Sequence, residues 1–138
     1  MSIEITPEFW GPHGWIFLHS ITFNYPDNPS TETKQKYKKF FESIGDVLPC
    51  SVCSENYKRH IAENPIDPNL NDKNDLIQWL INIHNMTNIE LGKPVLSPLE
   101  VIDGFNKKIS KNKSSFTIIN CTLILCIFVL IIYIYLYI

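Results

Sequence analysis

Two cysteines are the residues of this sequence best suited to chemistry. Cys50 and Cys53 form a C-x-x-C motif directly after Pro49, and proline favours the first turn of a helix. The N–H groups and the dipole at a helix N-terminus stabilise a thiolate, so the spacing favours a disulfide that opens and re-forms. A structural zinc site, for which His60 is the only nearby further ligand, and a pair without a chemical role both remain alternatives at this point.

Two other segments are unusually dense in aromatic and hydrogen-bonding side chains. Residues 10–19 contain two tryptophans and two histidines, and residues 84–94 alternate polar with apolar side chains. Asn88 lies four positions after His84, so both can face one object from the same side of a helix. A flat cofactor with polar edges is one such object, although each residue taken singly is more typical of a helix core.

Helices are the elements predicted to position these residues. No window keeps the period-two alternation of a strand, whereas several keep the i, i+3, i+4, i+7 spacing of an amphipathic helix. The sequence therefore predicts an all-α fold, a compact bundle of four or five short helices, with N-caps at Ser30 and Asp72 and a loop over residues 65–71. The residues that share the predicted inward faces are Trp15, Leu18, His19, Thr22, Tyr37, Phe40, Phe41, Ile44, Leu76, Trp79, Leu80, Ile83, Val101, Ile102 and Phe105.

The charges are distributed unevenly along the 138 residues. Twelve Lys and Arg stand against 14 Asp and Glu, so there is no basic surplus and no nucleic-acid partner is expected. No charge follows Lys113, and residues 116–138 are long and apolar enough to predict a single transmembrane helix. The predicted organisation is a helical domain over residues 1–106, a polar linker over 107–115 and a membrane span over 116–138.

Lysines precede the predicted span, and no Lys or Arg follows it. The positive-inside rule then predicts a single-pass membrane protein whose helical domain faces the cytoplasm. The N-terminal residues have neither the basic flank nor the apolar run of a signal peptide. Three tyrosines near the end of the tail suit the membrane interface, and the tail cysteines Cys121 and Cys126 are interpreted as lipid-facing or helix-packing thiols.

Taken in chain order, the motifs resemble the FAD-linked sulfhydryl oxidase family of the ERV/ALR type. The resemblance covers residues 10–96 and is closest in appearance to viral members. It rests on W-G-P-x-x-W-x-x-L-H from Trp10 to His19, Tyr25-Pro26, the C-x-x-C motif followed by Tyr57, Trp79-Leu80, and H-N-x-x-N-x-x-L-G-K-P from His84 to Pro94.

The resemblance implies a thiol oxidase that holds FAD in a helical bundle without a Rossmann glycine motif. Thiols of a partner protein would reduce the disulfide at Cys50, Cys53 would pass the electrons to FAD, and molecular oxygen would be reduced to hydrogen peroxide. A homodimer is expected of the family, and no metal is implied. The implied cofactor-binding residues are Trp10, Gly11, Trp15, His19, Tyr57, His84, Asn85, Asn88, Leu91 and Lys93.

The sequence departs from the family pattern in its other cysteines. The positions of a second, structural disulfide hold Ile81 and about Pro98, and no shuttle C-x-x-C exists outside the tail. We therefore expect direct oxidation of a partner protein in the host cytoplasm or at a virion membrane. The alternative is a noncatalytic, membrane-anchored helical adaptor.

Overall fold

The computed structural model describes residues 5–137, except for the side chains of residues 112–123, 129, 136 and 137. Its described residues are helical and contain no strand, which confirms the predicted all-α class. The chain divides into two units, the first ending at Pro98 and the second beginning at Leu99. The helices are α1 (Pro7–Phe23), α2 (Thr31–Val47), α3 (Ser51–Glu63), a short 3₁₀ helix (Asp67–Leu70), α4 (Lys73–Glu90) and α5 (Pro98–Tyr137).

The helices begin where local chemistry predicts. Ser30 Oγ accepts the Thr33 N–H at 3.1 Å and caps α2, and Asp72 Oδ1 accepts the Asn74 N–H at 2.7 Å and caps α4. Both predicted caps are therefore confirmed, since each satisfies a backbone donor of a first turn. The loop predicted over residues 65–71 is wrong in part, because four of its residues form the 3₁₀ helix that buries Leu70.

The core of the first unit joins α2, α3 and α4. Trp79 packs edge-on against Phe41 with ring centroids 5.2 Å apart, and its indole N–H donates to the Asn64 carbonyl at 2.8 Å. The Tyr57 hydroxyl donates to the Phe41 carbonyl at 2.9 Å. The predicted core residues of α4 are confirmed, since Leu76, Trp79, Leu80 and Ile83 are all buried.

The described residues of the second unit belong to α5, a helix of 40 residues that begins at Pro98. The first unit holds four α-helices, within the predicted range of four or five, and the predicted fifth helix is the beginning of α5. The backbone stays helical across the predicted linker 107–115, because the sequence there contains neither glycine nor proline to interrupt it. Of its predicted inward-facing residues, Val101 is buried, whereas Ile102 is 39% exposed.

The apolar tail lies in the C-terminal part of α5. In the part of the chain that the structure describes, no helix is both long and apolar enough to cross a membrane. Within the predicted span 116–138, the side chains of residues 116–123, 129 and 136–138, and hence Cys121, lie outside the described residues. The domain boundaries at residues 106 and 115 stay predictions.

Candidate functional site

The first part of the site is a disulfide at the start of α3. Cys50 and Cys53 are bonded to each other, with their Cα atoms 5.2 Å apart. Cys50 is the N-cap of α3, and its Sγ accepts the Cys53 backbone N–H at 3.2 Å. The helix predicted to start at Pro49 begins two residues later, at Ser51, and Cys50 Sγ lies beside a backbone donor that stabilises negative charge on sulfur.

The connection between α2 and α3 fixes the disulfide relative to the core. Ser54 Oγ donates to the Gly45 carbonyl, and Lys58 Nζ lies 2.7 Å from Asp46 Oδ1. A side chain at Gly45 would place its Cβ 2.7 Å from Lys58 Cγ, so glycine allows the two helices to approach here. Leu48, between the helices, packs against the core. The disulfide therefore belongs to a rigid corner of the bundle.

The second part of the site is a cluster of rings from α1 and α4. Trp15 stacks on His84 with centroids 4.0 Å apart and planes at 8°. His19 Nε2 lies 3.1 Å from His84 Nδ1, and His19 is fully buried. Because a hydrogen bond between two ring nitrogens needs one donor and one acceptor, only one of these two atoms carries a proton. The structure thus brings together three residues predicted from two separate motifs.

Both histidines of this cluster are neutral near pH 7. Burial, followed by repulsion from His84, lowers the pKa of His19 to about 4. Burial, followed by repulsion from Lys93, lowers the pKa of His84 to about 4. An uncharged, stacked pair of rings suits a flat aromatic ligand better than an anionic one.

Other predicted cofactor residues lie at the ends of α1 and α4. The Trp10 Nε1 atom is buried and has no hydrogen-bond partner among the described residues, while Gly11 is half-buried. Asn88 is buried, and its carbonyl accepts the Lys93 N–H at 2.8 Å, across a turn in which Gly92 has φ +63°. Leu91 and Lys93 are exposed. The Trp10 indole N–H, a hydrogen-bond donor, thus lies on α1, and the Lys93 cation lies just after α4; these are the two helices that carry the ring cluster.

Tyr57 has a different position from the other predicted cofactor residues. It lies in the core, and its hydroxyl is committed to the Phe41 carbonyl. Burial raises the pKa of Tyr57, so the hydroxyl stays protonated and keeps donating. The structure gives this residue a role in joining α2 to α3, and its predicted contact with a cofactor stays a prediction.

Asn85 also makes contacts that the sequence did not predict. Its amide nitrogen donates to the Leu96 carbonyl at 2.8 Å, and its Oδ1 accepts the Leu96 N–H at 3.0 Å. Both polar ends of the side chain are therefore used by the backbone. Asn85 fastens the segment that carries Lys93 to α4, which is a positioning role in the structure.

Replacing Asn85 by alanine is expected to lower the free energy of unfolding by about 2 kcal/mol, since two partly buried hydrogen bonds are lost. The matched control is Asn82→Ala on the same helix. Asn82 is exposed and only accepts from Gln78, so we expect a change below about 0.5 kcal/mol. Urea unfolding of both variants measures the difference, and equal losses would contradict the role given to Asn85.

A hydrogen bond between the buried His60 of α3 and Glu90 of α4 was not predicted from the sequence. His60 is fully buried, and its Nε2 lies 3.0 Å from Glu90 Oε1, which Arg59 also contacts. Burial would raise the pKa of Glu90, but the hydrogen bonds from Arg59 and His60 outweigh it and lower that pKa. His60 thus contacts a carboxylate, and no group of three or more metal-ligating side chains occurs among the described residues.

The residues of the two helices fit FAD. The Trp10 indole supplies a buried N–H that lacks a protein partner among the described residues, and the Trp15 and His84 rings supply aromatic faces. Lys93 supplies a positive charge that suits an anionic diphosphate. The donor set thus matches a ligand that is flat at one end and anionic in its middle.

The amino-acid sequence is similar to a known family and to several of its members. Residues 12–115 match the model of the Erv1/Alr family. The probable FAD-linked sulfhydryl oxidase of Acanthamoeba polyphaga mimivirus is 39% identical over 112 residues, which are 80% of this chain and 78% of that protein. The FAD-linked sulfhydryl oxidase ERV1 of Arabidopsis thaliana is 31% identical over 72% of this chain and half of its own length.

Solved structures give the same fold. The crystal structure of the yeast Erv1 core aligns with a TM-score of 0.65 and 28% identity, over 70% of this chain and 80% of that one. The crystal structure of the FAD-binding domain of Erv1 from Saccharomyces cerevisiae aligns with the same TM-score over 69% of this chain and 89% of its own.

Proposed function

The chain belongs to the Erv1/Alr family, and we propose specific roles for its residues in the FAD-dependent oxidation of thiols. The observation that carries the proposal is the Cys50–Cys53 disulfide, placed at the N-terminus of α3. A C-x-x-C disulfide in this position accepts a pair of electrons, and each cycle converts two thiols and one O2 into one disulfide and H2O2. The chain is therefore a thiol oxidase, and the noncatalytic adaptor is not favoured.

Cys50 is the sulfur that meets the substrate. A substrate thiolate attacks Cys50 Sγ, the bond to Cys53 breaks, and Cys53 leaves as a thiolate in the first turn of α3, where the helix dipole favours negative charge. A second substrate thiol then attacks the substrate sulfur of the mixed disulfide, which releases the oxidised substrate and leaves Cys50 reduced. FAD, when bound, supplies the two-electron chemistry that links the reduced pair to oxygen.

The remaining site residues bind and orient the cofactor. Trp15, His19 and His84 offer neutral rings, Trp10 and Asn88 offer polar side-chain atoms, and Lys93 offers a cation for the diphosphate. Gly11 and Leu91 lie on the same stretches of chain. Asn85 acts through the backbone that it fastens, because both ends of its amide are already bonded to Leu96.

Purification of the full-length chain tests this function. We expect a yellow protein with a flavin absorbance band that consumes oxygen when dithiothreitol is added. A folded, colourless protein that takes up no added FAD would contradict the proposal. A protein that binds FAD but consumes no oxygen would favour the adaptor instead.

Thiol-bearing proteins are the proposed substrates, and they react with Cys50 directly. The chain has no second C-x-x-C motif that could relay electrons from a substrate to the disulfide. Reduced protein substrates should therefore be oxidised by the chain alone. A requirement for an added dithiol carrier protein would contradict this.

A homodimer is proposed for the first unit, through the exposed face of α1. Phe9 and Phe17 are 72% and 59% exposed, and Phe17 contacts Phe40 of α2 edge-on. Two large exposed aromatic side chains on one helix are typical of a surface that another protein covers. Sedimentation should give a dimer that Phe17→Asp dissociates, and a monomeric wild-type protein would overturn the proposal.

The apolar tail is proposed to anchor the chain in a membrane, with the first unit in the cytoplasm. The support is the charge-free sequence after Lys113 and the exposure of the described tail side chains, among them Ile124, Leu125 and Phe128 at more than 60%. The chain should sediment with membranes and resist alkaline extraction. Protease added outside intact cells should leave the first unit uncut, and digestion of the first unit would contradict the proposed orientation. A first unit that faces the cytoplasm suits a protein of the host cytoplasm or of a virion membrane.

A further inference from the structure

Three apolar residues around the disulfide are exposed, and we call Val47, Pro49 and Val52 the disulfide rim. Val47, the last residue of α2, is 77% exposed, and Val52, in the first turn of α3, is 63% exposed. Pro49 between them is also exposed. Single exposed valines are ordinary on protein surfaces. Here, however, each lies within three residues of a cysteine of the bond that a substrate must reach.

The backbone of the disulfide rim is held in place by contacts with the core and between α2 and α3. Leu48 packs against the core, Ser54 Oγ donates to the Gly45 carbonyl, and the Lys58–Asp46 ion pair joins α2 to α3. The rim side chains therefore lose little conformational freedom when a partner covers them. Such preorganisation raises the affinity that a small apolar contact can supply.

The charged residues near the disulfide rim in the sequence do not form a patch of one sign that would attract an oppositely charged partner. Between Ile44 and Lys58 the charged residues are Asp46, Glu55 and Lys58. The first and last of these pair with each other at 2.7 Å, so Glu55 is the remaining charge of this stretch. This stretch thus presents exposed apolar side chains rather than a cluster of like charges.

We propose that the disulfide rim binds the apolar residues that flank the reactive cysteines of protein substrates. The inference rests on the proposed function, since a substrate sulfur must come within bonding distance of Cys50 Sγ. Residues on either side of a cysteine in an extended segment lie about 3.3 Å further along per position. These neighbours therefore meet Val47 and Val52, and the enzyme prefers cysteines flanked by residues such as leucine over cysteines flanked by serine.

Two reduced peptides with the full-length enzyme test the preference. Each carries two cysteines, and they differ only in whether leucine or serine flanks both cysteines. We expect kcat/KM to be about tenfold higher for the leucine peptide, because burial of one or two aliphatic side chains against the rim has an effect of about this size. Val47→Ser should reduce this ratio to about threefold, and Val47→Ser/Val52→Ser should bring it close to one.

Val95→Ser is the matched control. Val95 is 56% exposed in the segment after Gly92, away from the α2–α3 connection in the sequence, and its replacement should leave the ratio of the two peptides unchanged. The same ratio of kcat/KM between the leucine and serine peptides in wild-type enzyme and in both rim variants would overturn the inference. Dithiothreitol, which has no flanking residues, separates the two hypotheses: if the wild-type protein does not oxidise it, the proposed function itself fails.

Discussion

Cys53→Ser is expected to abolish the oxidation of dithiothreitol while the protein keeps its bound flavin. The change removes the sulfur that must re-form the disulfide with Cys50, and serine has no redox chemistry that could replace it. Loss of one member of a catalytic unit costs as much as loss of the unit, so we expect a decrease of at least about a hundredfold in kcat. Oxygen consumption measures the turnover, and the visible spectrum measures the bound flavin.

The flavin measurement separates chemistry from folding. Cys50 still caps α3 in this variant, and the ring cluster of α1 and α4 is unchanged, so the bundle and its ligand should persist. Cys126→Ser is the matched control, because Cys126 is exposed in α5 and forms no disulfide. Full turnover in Cys53→Ser, or its loss in Cys126→Ser, would refute the role assigned to the C-x-x-C pair.

Local chemistry explains why much of the fold could be predicted from the sequence. Ser30 and Asp72 cap their helices through backbone groups within one turn, and the apolar period of α4 determines which of its faces is buried. The C-x-x-C pair bonds across a separation of three residues. Each of these features depends on neighbours along the chain.

Contacts between distant segments could not be predicted in the same way. Asn85 is bonded to the backbone of Leu96, where no side-chain pattern signals the partner. His60 meets Glu90 across 30 residues, and motif order alone placed Tyr57 beside a cofactor although its hydroxyl is bonded in the core. Spacing identifies residues that can share a helix face, but their partners on other helices follow from packing.

The paired histidines predict that the protein becomes less stable as the pH falls from about 7 to about 5. In the unfolded chain both histidines take up a proton below a pKa of about 6.5, whereas in the folded chain their pKa values are about 4. The unfolded state therefore binds more protons in this range, and the free energy of unfolding decreases with falling pH. Each histidine contributes about 2 kcal/mol of this loss by about pH 5.

The structure accounts for the direction of the effect. His19 is fully buried, so a charged ring there loses its hydration. One added proton can still be shared across the 3.1 Å contact of His19 Nε2 with His84 Nδ1. A second added proton would place two N–H donors and two positively charged rings against each other. Lys93 adds repulsion at His84. The second proton therefore costs more than the first, and the folded chain takes it up only at a lower pH.

Urea unfolding of the full-length chain at about pH 7.5 and about pH 5, without added FAD, measures this loss. His19→Gln and His84→Gln should each remove about half of the difference between the two pH values. His13→Gln on α1 is the matched control, because His13 is exposed and its loss should leave the difference as in the wild type. If all three variants show the wild-type difference, the ring cluster is not its source, and the neutral state of the two rings at the cofactor site would have to be rejected as well.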